Sequence, residues 1–325
     1  MMSIMENNHI FYQLINQGGS AMFTRDEFII YVYCLVVQYF HKRFPEPLRQ
    51  AGFAPGLSDE EALTIELVGE FLGMETDKQI FRYFRKHYRD WFPQLPDRST
   101  LVRQWQNLWR VKYELWQVMV RESGWDHDPV QVIDTLPVPV CHVRRAVSRK
   151  ILCDDVVCQP SYGYCASKDW HYFGFKGGLR ISASTGMILA APILPASPHD
   201  SDLLDHLLRG VPSSTRILGD KGFIDLEEQQ RVNDSWGILL QTPLRYNMTD
   251  RPAFRLHKLE NRLRRLIETV NGQLVVRFHV QMMRVRKGWT LATKWYRKIL
   301  MHTICVFTNL KYGQPPTQLE TLVSD

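Results

Sequence analysis

Long apolar runs are missing from this 325-residue chain. The longest nearly apolar stretch, FIIYVYCLVVQYF at residues 28–40, falls short of the roughly 20 residues that a membrane-spanning helix needs. It predicts a buried helix instead, and no membrane partner is expected. The opening MMSIMENNHI has no basic region leading into an apolar one, so no secretory signal is expected. Paired C-x-x-C spacings are absent among Cys34, Cys141, Cys153, Cys158, Cys165 and Cys305. Reduced thiols in a cytoplasmic protein are the expectation, with zinc held by the four cysteines between 141 and 165 as the alternative. Internal repeats and low-complexity tracts are also missing.

What is present is a globular composition with a basic balance. Hydrophobic residues make up 45% and charged residues 23%, and the length suits two domains. The net charge is +6 and the pI about 9.0, which favours an anionic partner, nucleic acid first.

Residues 22–124 carry helical spacing. LSDEEALTIELVGEFLG opens with a capping box, Ser58 and Glu61, and stops at Gly73. DKQIFRYFRKHYRDWF mixes aromatics with Lys78, Arg82, Arg85, Lys86 and Arg89. After Pro93 and Pro96, DRSTLVRQWQNLWRVKYELWQVMVRES predicts one long helix capped by Ser99, with Arg98, Arg103 and Arg110 near its start. Three such helices fit a helix-turn-helix DNA reader or a plain bundle with a solvated basic face.

After WDHDPV the spacing becomes strand-like. VQVIDTLPVPV is a strand carrying Asp134, and residues 141–169 form a polar loop with Arg144, Arg145, Arg149 and Lys150. Two strands joined at 184–186 follow, then a short helix, the strand STRILGD, a helix, a short strand and the strong helix RLHKLENRLRRLIETVNGQLVV. The order β-β-β-α-β-α-β-α predicts an α/β sheet with a meander at its start. RFHVQMMRVRKGW, continuing through Lys294, Arg297 and Lys298, is basic with interleaved aromatics. It reads as a phosphate contact or as a solvated charge run.

Asp220, in ILGDKGF, is either a turn former or a catalytic acid at a strand end. Asp134 interrupts an apolar strand, where a carboxylate is costly unless its charge is paired. A hard divalent ion such as Mg²⁺ pairs it. Asp220 can share that ion if the two strands are neighbours, with Glu268 on the last helix as the third group. Two ions together stabilise the attacking and leaving oxygens of phosphoryl transfer.

At VIDTLPVPVC, FGFKGGLRISASTGMIL, ASPHDSDLL, ILGDKGF and RLRRLIETVNGQL the chain resembles the DDE transposases of bacterial insertion sequences, closest to the 982-type. These segments cover most of residues 130–275, and LSDEEALTI and PDRSTLVR fit as well. The resemblance implies an α/β, ribonuclease H-like mixed sheet flanked by helices and preceded by an all-α domain. Its boundaries are 1–124 for the helical DNA-binding region, 125–312 for the catalytic domain and 313–325 for a flexible tail. It implies that Asp134, Asp220 and Glu268 hold two Mg²⁺ ions, Mn²⁺ substituting, and that the protein cuts element ends and joins them to target DNA. The partners implied are terminal inverted repeats, target DNA and a second copy of the chain, in the bacterial cytoplasm. The two rival activities are a nuclease of the same fold without strand transfer and a non-catalytic DNA-binding descendant.

Arg264 carries over as a DNA contact, with Arg265, Lys221, Arg277, Arg98, Arg103, Arg144 and Arg145 as further candidates. The Y-x-x-R-x-x-x-E-x-x-x-x-x-x-K pattern is incomplete, because Asn261 and Val275 stand at its tyrosine and lysine places. Helical periodicity disagrees with the resemblance on one point. At ~100° per residue Glu268 points away from the stripe of Leu256, Leu259, Leu263, Leu266, Ile267, Val270 and Leu274. Glu260 lies nearer its edge. His199 and Asp200 read as part of a helix start, and Trp170 with His171 and Tyr172 as a base-stacking group or a strand edge.

Overall fold

The structure, a computed structural model, describes residues 23–49, 51–146, 152, 159–223, 225–242 and 254–324. The helical half contains α1 (Arg25–Arg43), α2 (Asp59–Phe71), α3 (Asp77–His87), α4 (Arg98–Asn107) and α5 (Trp109–Ser123). Capping boxes start the first three, pairing Thr24 with Glu27, Ser58 with Glu61 and Thr76 with Gln79. Each box satisfies two backbone N–H groups that the helix leaves without partners. The expected long helix from residue 98 is instead two, broken at Leu108. Its cap is Asp97, not Ser99: Asp97 accepts from the N–H groups of Ser99 at 2.8 Å and Thr100 at 3.1 Å. The apolar run predicted as a buried helix is α1, with Phe28 and Val32 fully buried.

The second half begins with β1 (Val130–Cys141) and the short helix α6 (Val143–Ala146), then β2 (Ser161–Cys165) and β3 (Trp170–Ser182). β4 (Ile188–Ala190), β5 (Ile193–Pro195), α7 (Leu204–Leu207), β6 (Arg216–Leu218), α8 (Leu226–Trp236) and β7 (Leu239–Gln241) follow. The sheet order is β2-β3-β1-β6-β7, with β4 and β5 also on β3. β1 runs antiparallel to β3 and parallel to β6. The expected mixed α/β sheet, flanked by helices and preceded by a helical region, is present. β2 lies inside what the sequence predicts as loop, because a five-residue polar strand has no periodicity to announce it.

Two-residue alternation divides the faces of β1. Val132, Leu136, Val138 and Val140 enter the larger core, while Ile133 joins Leu203, Leu207, Ile217 and Val232 in a smaller one. α9 (Phe254–Val276) and α10 (Gly288–Lys311) complete the fold. Leu263, Ile267, Val270 and Leu274 of α9 are all buried in the larger core, as their spacing predicts.

α10 overturns the reading of Lys294, Arg297 and Lys298 in the basic C-terminal stretch, while Arg284, Arg286 and Lys287 ahead of it are exposed. It is a core helix packed against α2 and α5, and its Arg297 and Lys298 are buried among acids. Arg297 lies 2.6 Å from Glu70, 3.3 Å from Glu66 and 3.0 Å from Asp77. Lys298 pairs with Glu70, and Lys112 of α5 lies 2.5 Å from Glu66. Lys294 donates to the carbonyl of Met283 at 2.7 Å. None of these three α10 cations is an open phosphate contact, and the helical half shares one core with the sheet rather than owning its own. The end of the chain is also anchored rather than loose: Leu319 and Leu322 are buried, and Val323 bridges Phe23.

This cluster makes a stability test. Glu66→Ala leaves Lys112 and part of Arg297 buried without charge compensation, and should lower unfolding free energy by about 3–5 kcal/mol. Glu122→Ala, at the exposed pair with Lys42, should cost under about 1 kcal/mol. Urea unfolding of both variants checks the contrast; equal losses would show that the buried cluster does not hold α2 to α10.

Candidate active site

The register of β1 against β6 settles where the first two acids lie. Val132 pairs with Leu218, and Asp134 and Asp220 each stand two residues further on. Val132, Leu136 and Leu218 all face the larger core, which places Asp134 on the side covered by α9. Asp220 is also a turn residue. Its carbonyl accepts from Phe223 N–H at 3.0 Å and opens a 3₁₀ turn over Lys221–Phe223. The two readings of Asp220 are therefore compatible in geometry: the turn presents the carboxylate. Gly219 fits the bend because an added Cβ would press on Ile133 and Phe223 at 3.3 Å.

α9 meets both acids with side chains from one face. Arg264 Nη2 lies 3.2 Å from Asp220 Oδ1, and Asn271 Nδ2 donates to Asp134 Oδ2 at 2.7 Å. Glu268 stands one turn after Arg264 and about one turn before Asn271, so the three share a face. Glu268 is exposed, as periodicity predicts, yet its helical neighbours on that face are the two residues that touch the acids. Among the described residues, no three His, Cys, Asp or Glu side chains lie close enough together to hold a metal ion. The side chain of Glu260 lies outside the described residues.

Asp200 opens a 3₁₀ turn over Asp200–Leu203 with His199 as its N-cap, the helix start that the sequence predicts, and the Asp202 carboxylate accepts from His199 N–H at 2.9 Å. The structure adds a second role for Asp200. It accepts from Thr135 Oγ1 at 3.3 Å and pairs with Lys176 at 2.6 Å. Gly222 is close enough that an added Cβ would lie 2.3 Å from Asp200 Oδ2. Only the nearness of PHDSD to the other acids in space, not its spacing, assigns it to this centre.

Burial, together with the negative charges of Asp220 and Asp200, pushes the Asp134 carboxyl up to about 7. Hydrogen bonds from Thr135 N–H and Asn271 oppose that shift without cancelling it. The arrangement thus holds a carboxylate that lacks positive charge.

The remaining candidates are dispersed. Arg265, Arg98, Arg103, Arg144 and Arg145 are exposed, the last two on α6. Arg277 is half-buried, its guanidinium 4.3 Å from the centre of the Phe71 ring. Trp170 is half-buried with its ring 5.5 Å from that of Tyr172. The Lys221 side chain, Arg149, Lys150, Cys153 and Cys158 lie outside the described residues; Cys141 is a free thiol. A second cationic site emerges on α3, where Lys78, Arg82, Arg85 and Lys86 line a groove with Arg98. All five are exposed and, among the described residues, none forms an ion pair. The sequence shows these cations, and their gathering around Arg98 comes from the packing of α3 beside α4.

Residues 125–288 match the family described as Transposase DDE domain. No curated protein matches the chain. A cryo-EM structure of a piggyBac transposase synaptic complex with hairpin DNA is similar at TM-score 0.48 and 11% identity, covering 89% of this chain and 76% of that one. Among the described residues, no helix is long and apolar enough to cross a membrane.

Asp134 gives stability a pH signature. Its folded-state pKa is raised above the unfolded value, so the folded protein binds the extra proton and stability falls as pH rises from about 4 towards 7. In chelator, Asp134→Asn should remove that decline, and its melting temperature should gain on wild type between pH 5 and pH 8. Parallel pH profiles for the two proteins would show that Asp134 is ordinarily ionised.

Proposed function

Because this chain belongs to the transposase DDE domain family, we propose that it cuts DNA strands at the ends of a mobile element and joins the freed 3′-hydroxyls to target DNA. The observation that carries this reading is the pairing of β1 with β6 beneath α9, which sets Asp134 and Asp220 together under Arg264 and Asn271. The donor set suits a hard divalent cation: every acid offers oxygen, and burial together with the neighbouring Asp220 and Asp200 disfavours the ionised form of Asp134, which a bound cation would favour. Asp134, Asp220 and Glu268 would hold two Mg²⁺ ions, with Mn²⁺ as a substitute. Bound ions would supply charge stabilisation at the attacking and leaving oxygens of the phosphate.

The chain's own residues do the positioning. Asn271 orients Asp134, and Arg264 holds Asp220 while remaining half-exposed, where it can meet a DNA phosphate. The groove of α3 and Arg98 supports DNA binding by charge, aided by Arg103, Arg144, Arg145, Arg265 and Lys221. Arg277, held on Phe71, serves packing. Two element ends must be handled together, so the active species is a homodimer on DNA, and the element is of the bacterial insertion-sequence kind. A nuclease that cuts without joining is the second reading. Pre-cleaved ends separate the two: strand transfer products support the first, and hydrolysis alone supports the second.

Asp134→Asn, Asp220→Asn and Glu268→Gln should each abolish Mg²⁺-dependent cleavage of end DNA while binding persists, whereas Glu260→Gln should keep most activity. An essential Glu260 with a dispensable Glu268 would reassign the third ligand. Binding should weaken with salt, and replacing Lys78, Arg82 and Lys86 by Gln should reduce the log–log slope by about 0.9 for each phosphate left without its cation. An unchanged slope in a salt titration would remove the α3 groove from the DNA path.

A further inference from the structure

β2 forms an outer edge of the sheet. Two-residue alternation puts Tyr162 and Tyr164 on the same face of it, and they are 50% and 52% exposed. Each ring packs beside a cross-strand neighbour on the same face. Tyr162 packs on Phe173 with centroids 5.0 Å apart, and Tyr164 packs on His171 at 4.8 Å. The Tyr164 hydroxyl donates to Asp169 at 2.7 Å, fixing that ring further. Gly163, between them, lets the strand lie close to its neighbours, since an added Cβ would stand 2.8 Å from Ala196 Cβ and from the Tyr172 ring. Ser197 N–H also donates to Ser161 Oγ at 2.8 Å, tying the strand to the 196–200 segment.

The result is a groove that leads from the two tyrosines past Lys176 to Asp200 and Gly222. Its far end adjoins the acids, because Asp200 accepts from Thr135 and Gly222 follows two residues after Asp220. Braced, exposed rings beside a phosphoryl-transfer centre present flat apolar faces. Base pairs of an intact duplex are stacked on one another and offer only their edges; bases of an unpaired strand have free faces.

We propose that this groove binds an unpaired DNA strand leading away from the acid centre, with Tyr162 and Tyr164 as the stacking platform for its bases. The assignment rests on the reading of the protein as a DNA-processing enzyme. It replaces Trp170, which packs against Tyr172, as the base-stacking group. Lys176 belongs to the groove floor, where its ammonium is held by Asp200 and by the Pro198 carbonyl at 2.7 Å. It therefore shapes the groove, and the affinity comes from the rings.

The test uses the full chain without divalent ions, so binding is read independently of cleavage. Labelled oligothymidine and a duplex of the same length are titrated by fluorescence anisotropy. Tyr162→Ala/Tyr164→Ala should weaken single-strand binding by about tenfold or more, the size of one missing base–aromatic stack, and leave duplex binding unchanged. Tyr162→Phe/Tyr164→Phe should bind as wild type does, because the ring and not the hydroxyl carries the contact. Tyr162→Leu/Tyr164→Leu, which keeps apolar bulk, should behave as the alanine variant does and serves if that variant melts early. Unchanged single-strand affinity in the alanine and leucine variants would overturn the proposal, as would an equal loss on both DNAs. Failure of cleavage by the wild-type chain, with this binding pattern intact, would count against the proposed reaction and not against the groove.

Discussion

β1 is hydrogen-bonded to β3 along its length and to β6 over Val130–Val132, and just past that second ladder it carries a carboxylate in its apolar face. That constraint organises the half of the chain that holds the sheet. A central strand cannot lift Asp134 into water without breaking its ladders, so the charge must be met from neighbouring elements. Thr135 N–H and Asn271 meet part of it, while Asp220 and Asp200 add like charge. The apolar stripe of α9 packs on the same side of the sheet, and that packing delivers Arg264 and Asn271 to the two acids. The core face of α9 and the face that meets the acids are thus set by one docking event, and Glu268 rides on the second face.

A different electrostatic problem holds the two halves together. Glu66 and Glu70 of α2 meet Arg297 and Lys298 of α10 and Lys112 of α5 in a region without water access. Breaking any one pair strands a buried charge, so each acid and cation of the cluster needs its partner in place. Its consequence is architectural. The helices ahead of the sheet are bound to the last long helix of the chain, so the cationic groove on α3 is linked to the acid centre through α2 and α10.

Much of this was legible in the sequence. Capping boxes at Ser58 and the stripe of α9 announce helices because they depend on residues three or four apart. Asp134 was conspicuous because an acid in VQVIDTLPV violates its own strand, and Asp220 because it ends an apolar run at a glycine. Family likeness joined these to Glu268 against the helical periodicity. Misreadings fall where a short-range pattern has two long-range outcomes. A basic helix with aromatics describes α3, whose Lys78, Arg82, Arg85 and Lys86 face solvent, as well as α10, whose Arg297 and Lys298 are buried.

The sequence by itself therefore determined the α/β class, the start of most helices, the two strand acids and a basic chain suited to an anionic partner. Tertiary structure alone decided which cations are free, that Asp200 joins the acid centre, that β2 exists and presents Tyr162 and Tyr164, and that Arg277 folds onto Phe71. The reason is physical. Periodicity and capping are local and act within a few residues, whereas desolvation, charge pairing and strand-edge exposure depend on which distant segment arrives alongside.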